Sequence, residues 1–482
     1  MNAFAQSDVA RETYWGISSV EYAVFYLLAF TAIAVFTYGV YQRFARYAAG
    51  DDDSFPRLDD LGNRVVSATK IVLSNEKQFN RDLYGGLMHS FILWGFLTLF
   101  VATLILMAEE YAAKKLLHMS FWNGDFYLAY QFMVDALGLL FVVGIGMAMY
   151  RRYWVRNTRL WDRHTSNEDD VFIWTLFALG IGGFLLEGFR IYIAGIPDHE
   201  IVSFVGYGLA TMFDGIGLPS TEAAVAAGPE YSASANLGAN AETLHWLTWW
   251  SHSLLAFFFI AWIPYAKPFH MISSFANVVT RDEKAGQRLP NVPSDLDATN
   301  AESIDDFTWK EILDQDACTK CGRCSSVCPA KASDRPLDPR NVILDLKSYR
   351  EDLDAGGEEK PIIADGGTSV INSETMDSCM ACMACMDACP VEIEHLKSFT
   401  RLNRQQTDQA MSPRACRTSS RTSCRTATPS ATRRATAATG PTNSSSTSPT
   451  PARRKSITSG TSATSRATTS ETSRSPARWR PF

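Results

Sequence analysis

Cysteine is absent from the first 317 residues of this chain, since all ten cysteines lie at or beyond Cys318. This distribution excludes a disulfide-stapled exterior domain in that region. Residues 411–482 have no leucine and no valine, and they hold 32 serine or threonine residues, so this segment cannot bury a core. The chain also has no glycine-rich phosphate loop, nucleotide fingerprint or hydrolase triad. No nucleic-acid partner is therefore expected.

Long apolar stretches dominate the first 275 residues. A helix needs about 20 mostly apolar residues to cross a bilayer. Five stretches have that length, namely 20–41, 85–107, 127–150, 171–191 and 246–266. A buried core helix is the alternative for the glycine-rich fourth stretch, but five such stretches indicate membrane integration. We expect an all-α membrane protein with a five-helix bundle over residues 1–275.

The loops between the expected spans differ in positive charge. Segment 43–84 holds seven Lys or Arg and 151–170 holds five, whereas 108–126 holds two and 193–245 holds none. Because lysine- and arginine-rich loops stay in the cytoplasm, we expect a multi-pass protein of the cell membrane with its N-terminus outside. The chain after the fifth span is then cytoplasmic. The first span has positive charge after it, which favours a retained anchor over a cleaved signal peptide.

Eight cysteines form two runs with the spacing C-x₂-C-x₂-C-x₃-C-P. Structural zinc or disulfides are the alternatives, but the doubled run is typical of a protein with two 4Fe–4S clusters. In such pairs the fourth cysteine of each run usually ligates the other cluster. The expected ligands of the first cluster are Cys318, Cys321, Cys324 and Cys389. Those of the second are Cys379, Cys382, Cys385 and Cys328.

Three histidines lie within or next to the expected spans. His89 begins the second span and His270 follows the fifth, so both lie near the inner face. Two histidines at one depth can supply both axial ligands of a b-type haem. His252 precedes His270 by 18 residues, which is roughly 27 Å along a helix. It is a candidate ligand of a second haem near the outer face. The alternative for each histidine is an interhelical hydrogen bond.

Residues 1–275 resemble the cytochrome b subunit of respiratory nitrate reductase and its relatives. The sequence GLMHSFILWG at 86–95 is similar to the family's haem-ligating second helix, and 249–270 is similar to its fifth helix, including the 18-residue histidine spacing. The resemblance implies a cytochrome b-type bundle with haem b held by His89 and His270. Family members with two haems carry a second histidine ten residues after the first, where this chain has Leu99.

Residues from about 300 to 405 resemble the iron–sulfur subunits of heterodisulfide reductase and of related quinone-linked complexes. The segments ACTKCGRC at 317–324, PLDPRNVILDL at 336–346 and DACPVEI at 387–393 carry this resemblance. It implies an α-helical two-cluster ferredoxin-type domain linked to a quinone. Between the cysteine runs, Asp338 and Pro339 predict the start of a helix. Its apolar face is expected to comprise Val342, Ile343, Leu346 and Tyr349.

The expected organisation has four parts. A membrane domain over 1–275 is followed by a linker over 276–305, a two-cluster domain over 306–405 and a disordered basic tail over 406–482. Residues 411–482 carry a net charge of +12 against −18 for the rest of the chain. The tail is either a segment that touches anionic lipid or the product of a reading-frame error that replaced a natural domain. Mass spectrometry of the native protein distinguishes the two.

These features predict an electron-transfer oxidoreductase subunit. Electrons would pass between a membrane quinone pool and a cytoplasmic redox protein or catalytic subunit, through b haem and two 4Fe–4S clusters. One alternative is a non-catalytic membrane anchor that relays electrons for a separate dehydrogenase or reductase. Another is a redox sensor. Quinone turnover separates the oxidoreductase from the relay, and redox-dependent partner binding identifies the sensor.

Overall fold

The computed structural model describes residues 9–10, 13–220, 232–289, 301–364 and 367–408. All of them belong to one structural unit. Residues 409–482 lie outside these ranges, so the expected disorder of the tail and the reading-frame hypothesis stay predictions.

Helices form the membrane part of the chain. They are α1 (Ser19–Ala48), α2 (Leu61–Ser74), α3 (Glu76–Phe79), α4 (Leu83–Met107), α5 (Gly124–Met149), α6 (Asn167–Ile193), α7 (Phe204–Gly215), α8 (Ala241–Trp262) and α9 (His270–Val279). A π-helical segment continues α4 over Ala108–Leu116, and another continues α5 over Tyr150–Trp154. Within the described ranges, five helices are long and apolar enough to cross a membrane: α1, α4, α5, α6 and α8. They coincide with the five predicted spans.

Polar caps extend these helices beyond the predicted spans. Before α1, the Ser18 hydroxyl accepts from the Glu21 amide and the Glu21 carboxylate accepts from the Ser18 amide at 2.8 Å. Before α4, the Asp82 carboxylate accepts from the amide of Gly85 at 2.9 Å. Asn240 caps α8 in the same way. Capping satisfies amides that have no partner within the helix. Hydropathy detects only the apolar part of a helix and therefore missed these ends.

Apolar side chains cover the outside of the helical bundle. On α1 alone, Val20, Leu27, Phe30 and Ile33 are each more than half exposed. Inside the bundle, α4 and α5 approach closely at Gly95, where an added Cβ would lie 2.7 Å from the Leu137 carbonyl oxygen. Small residues at helix contacts and an apolar outer surface are typical of membrane bundles. The chain is a membrane protein.

The cysteine-bearing part is also mostly helical. Its helices are α10 (Trp309–Ala317), α11 (Arg323–Val327), α12 (Pro329–Ala332), α13 (Pro339–Asp354), α14 (Ser373–Asp377), α15 (Ala384–Asp387) and α16 (His395–Asp408). The predicted helix after Asp338 is α13: the Asp338 carboxylate accepts from the Arg340 amide at 3.0 Å. Its expected apolar face is buried, comprising Val342, Ile343, Leu346 and Tyr349.

A small β-sheet corrects the all-α expectation. Strands β1 (Ile363–Ala364) and β2 (Ile371–Asn372) pair in parallel, with Ile363 opposite Ile371. Both isoleucines are buried, at about 2% exposure each. Runs of two residues are too short to show the alternating pattern by which a strand is recognised in sequence.

The membrane helices and the cysteine-bearing part share one hydrophobic core. Tyr47 at the end of α1 and Phe269 before α9 belong to the same buried cluster as Phe307, Ile343 and Phe399. Residues 276–289, the described part of the expected linker, take part in this contact. For example, the buried Asn277 amide donates to Asp314 at 2.9 Å and to the Val391 carbonyl at 2.8 Å. Residues 290–300 lie outside the described ranges, so the domain boundaries stay predictions.

Ion pairs join the positive loops to the cysteine-bearing part. The pairs are Arg43–Asp316, Arg46–Asp354, Arg57–Glu394, Lys77–Glu392, Arg81–Asp387 and Arg163–Asp345. The two basic loops and the cysteine runs therefore lie at the same end of the bundle. Which side of the membrane this end faces stays a prediction.

Candidate functional site

The two cysteine runs adopt matching loops. In the first run, Lys320 and Gly322 have φ values of 57° and 67°. At the equivalent positions of the second run, Ala381 and Met383 have φ values of 50° and 63°. Left-handed residues in such a loop turn successive backbone amides toward one point, which suits a negatively charged group. The repeated spacing thus produces a repeated backbone shape.

The fourth cysteine of each run lies with the other run. Cys324 is in electrostatic contact with Cys318 and Cys321 of its own run, and also with Cys389 of the second. A small pocket is lined by the second set, namely Cys328, Cys379, Cys382 and Cys385. The walls of this pocket are otherwise mainly apolar and include Leu337 and Phe399. The fold brings together the two crossed sets that the spacing predicted.

The chemistry of both sets suits iron–sulfur clusters. Burial is the main cause that raises the pKa of Cys318 to about 11 and that of Cys385 to about 12. The nearby thiols of the same sets add to both shifts. Since thiolates are the ligands, cluster binding releases these protons. In the described part of the chain, no three His, Cys, Asp or Glu side chains converge closely enough to hold a single metal ion.

The two sets differ in exposure. In the first set, Cys324 and Cys389 are buried at 8% and 5% exposure. In the second set, Cys382 is exposed, and its neighbour Met380 is 67% exposed. Cys318 and Cys321 of the first set are half-buried, and Cys328 of the second set is buried, so only the second set reaches the surface fully, at Cys382.

His89 and His270 are brought together at the end of the bundle that carries the basic loops. The two imidazoles lie close enough to interact electrostatically. Nδ1 of His89 donates to the Asn75 carboxamide oxygen at 2.8 Å, and Nδ1 of His270 donates to the Lys267 carbonyl at 2.8 Å. A hydrogen bond at Nδ1 fixes the tautomer that leaves Nε2 as a metal ligand. Burial lowers the pKa of His270 to about 4, so this ring is neutral near pH 7. Both rings fit axial ligation of haem.

The histidine pair adjoins the first cysteine set. Arg323, between Cys321 and Cys324, lies within electrostatic range of both His89 and Cys321. The loop that carries it rests on the basic loop after α5. An added Cβ on Gly322 would lie 2.7 Å from the Arg159 carbonyl oxygen.

His252 lies apart from this pair. Its ring packs against α6, where an added Cβ on Gly182 would lie 3.1 Å from Nδ1 and one on Gly183 3.6 Å from Cε1. That nitrogen has no hydrogen-bond partner in the ranges that the structure covers. The role of His252 stays a prediction.

Sequence analysis missed the residues that orient the expected ligands. Asn75 lies at the junction of α2 and α3 with a φ of 51°, fully buried. No spacing or composition marks an asparagine as the partner of a histidine 14 residues later. The carbonyl of Lys267 could have been anticipated, since His270 follows it by three residues in a turn that contains Pro268.

Comparison with known proteins identifies the cysteine-bearing part. Residues 317–394 match the family of 4Fe-4S dicluster domains. The chain carries a ferredoxin-type iron–sulfur domain. A protein of Syntrophomonas wolfei named "EtfAB:quinone oxidoreductase" is 28% identical over 411 residues, covering 79% of this chain and 54% of that protein. The "Probable iron-sulfur-binding oxidoreductase FadF" of Bacillus subtilis is 24% identical over 79% of this chain and 55% of its own length.

A third relative matches a shorter part of this chain. The "Probable membrane-anchored ferredoxin" of Chromohalobacter salexigens is 36% identical over 136 residues, covering 23% of this chain and 20% of that protein. The chain thus spans about half the length of the first two relatives, whose matches extend well beyond the dicluster domain. No solved structure shows significant similarity. Together the relatives support a membrane-associated iron–sulfur oxidoreductase. The resemblance to nitrate reductase cytochrome b stays a prediction.

Proposed function

We propose that this chain passes electrons between a membrane quinone and a cytoplasmic redox partner. The route uses haem b at His89 and His270 and two 4Fe–4S clusters at the crossed cysteine sets. The observation that carries the proposal is the proximity of the two kinds of site, since Arg323 of the first cysteine loop lies within electrostatic range of His89. A route from the bundle through the first cysteine set to the exposed second set is then continuous.

The polypeptide holds the proposed redox centres at fixed positions. Phe269, next to His270, is packed into the core of the iron–sulfur domain, so one haem ligand is anchored directly to that domain. Bound haem and clusters would supply one-electron redox chemistry, and the polypeptide sets their order and potential. Met380 and Cys382 at the exposed second set are where a soluble partner would approach. The name of the Syntrophomonas wolfei relative supports quinone as the membrane substrate.

The proposed orientation places the iron–sulfur domain in the cytoplasm and the N-terminus outside. The basic loops 43–84 and 151–170 support it, because positive loops remain cytoplasmic. A reducing compartment also suits eight free thiols. His252 is proposed as one of the two axial ligands of a second haem nearer the outer face.

The decisive test is reduced-minus-oxidised optical spectroscopy of the purified protein, with haem and non-haem iron counted per chain. We expect a b-type spectrum that is lost in both His89→Ala and His270→Ala, and about eight non-haem irons in the parent, as two cubanes require. His118→Ala, an exposed loop histidine, is the matched control and should keep the spectrum. A parent protein without haem would refute the route and reduce the spans to an anchor for a ferredoxin-type domain.

A turnover assay separates the oxidoreductase from the relay. Isolated protein is expected to oxidise a quinol with an artificial acceptor, and His89→Ala should abolish this activity while keeping its cluster iron. Reduction of haem and clusters without quinone turnover would instead identify an electron relay for another enzyme.

A further inference from the structure

Arg323 is a buried cation without a counter-ion. Arg323 is 8% exposed, and its Nε atom has no hydrogen-bond partner among the described residues. Among the residues that the structure describes, no carboxylate lies within ion-pair distance of its guanidinium. A buried charge without a partner is costly, because desolvation is not offset by an opposite charge. Such a cation implies that negative charge arrives from a group bound nearby.

Three other cations near the first cysteine set have carboxylate partners, and Lys320 of the same loop donates to the His164 carbonyl at 3.2 Å. Arg159 pairs with Asp82 at 2.9 Å, and Lys347 pairs with Asp316 at 3.3 Å. Arg340 also has a carboxylate partner, Asp162. Their charges are therefore largely compensated by the polypeptide itself. Arg323 differs from these three in having no carboxylate partner among the described residues, and from Lys320, which is only half-buried, in being buried.

Arg323 also lies near both expected redox centres. It lies between Cys321 and Cys324 in the chain and begins α11. It lies within electrostatic range of both Cys321 and His89. A cation in low-dielectric surroundings stabilises added negative charge at both neighbours.

We propose that the positive charge of Arg323 acts on two redox centres at once, the haem at His89 and His270 and the first 4Fe–4S cluster. This inference rests on the proposed function. Its positive charge favours the reduced form of each centre, because reduction adds one negative charge beside it. Removing the charge while preserving the fold should lower both midpoint potentials together.

Redox titration of the intact membrane protein tests this, with haem followed optically and the clusters by electron paramagnetic resonance. For Arg323→Gln, we expect the ratio of reduced to oxidised form at a fixed potential to fall about tenfold at both centres, a shift of about 59 mV for one electron. Arg323→Lys keeps the charge and should stay near the parent. Arg335→Gln removes an exposed charge from the same domain and should shift neither potential.

If Arg323→Gln fails to assemble its cluster, a variant with a titratable side chain at this position provides the test. In Arg323→His, the difference from the parent should be small at low pH and should grow as the histidine loses its proton. Unchanged potentials, or a shift at only one centre, would overturn the shared role. A parent that lacks a b-type spectrum would instead refute the proposed haem. The cluster potential would then remain as the separate measurement of the effect of Arg323.

Discussion

Replacing Arg57 by methionine should weaken the attachment of the iron–sulfur domain to the membrane helices. The Arg57 side chain is 1% exposed and binds Glu394 through two bonds of 2.6 and 2.9 Å. It also pairs with Asp53 at 3.1 Å and donates to the Thr280 carbonyl at 3.2 Å. Methionine retains much of the volume and removes the charge, which leaves two buried carboxylates without their shared cation.

The expected loss in the free energy of unfolding follows from the burial of this ion pair. Burial acts to raise the pKa of Glu394, but Lys310 and Arg57 outweigh it and lower the pKa to about 2. The carboxylate is therefore charged at neutral pH and needs its cations. Removing one partner of a buried pair costs about 3–5 kcal/mol. Lys310 lies 3.7 Å from Glu394 and remains in the variant, where it offsets part of the loss. We therefore expect Arg57→Met to lower the free energy of unfolding by about 3 kcal/mol.

The assay is urea unfolding in detergent under anaerobic conditions, followed by loss of iron–sulfur absorbance. For a small domain, the expected cost lowers the urea midpoint by roughly 1–3 M. Arg81→Met is the matched control, because Arg81 pairs with Asp387 across the same interface with side chains 44% and 73% exposed. An exposed pair contributes about 1 kcal/mol or less. Equal midpoints for the two variants would refute the reasoning that burial makes the Arg57 pair decisive.

Three further predictions concern the redox sites. Asn75→Leu removes the acceptor that orients a haem ligand and should weaken haem retention about 10–100-fold, measured as haem transfer to apomyoglobin, whereas Asn75→Asp should retain haem. Gly322→Ala should lower cluster content far more than Gly367→Ala. Both glycines have positive φ, but an added Cβ would lie 2.7 Å from the Arg159 carbonyl oxygen at Gly322 and would meet no atom within 4 Å at Gly367; equal losses would contradict this. Cys389→Ala should remove the cluster signal of the first run and Cys328→Ala that of the second, seen by electron paramagnetic resonance, and the reverse result would disprove the crossed sets.

Local patterns were sufficient to predict the cysteine loops, the spans and α13. The spacing of each cysteine run determines a short loop, and Asp338 with Pro339 determines how α13 begins. In these cases the interacting residues are close in sequence, so the physical cause is visible in a short segment. The same reasoning explains why the helix ends were missed, because a single polar cap lies outside the apolar stretch.

The attachment of the iron–sulfur domain could not be predicted in this way. Arg57 and Glu394 are 337 positions apart, and neither belongs to a repeated pattern. The partnership of Asn75 with His89 also depends on how α2 and α4 pack, not on spacing. Interactions of this kind depend on single side chains that tertiary packing brings together. Composition showed only that a basic loop and an acidic domain coexist in one chain.

The charge asymmetry of the loops now has two physical causes. Positive loops are retained in the cytoplasm during insertion, yet five of the seven basic residues in 43–84 also pair with carboxylates of the iron–sulfur domain, namely Arg43, Arg46, Arg57, Lys77 and Arg81. A docked acidic domain would select basic residues at its own end of the bundle on either side of a membrane. The loop count is therefore not independent of the docking. The proposed orientation is supported separately by segment 193–245 at the other end of the bundle, which has no lysine or arginine at all.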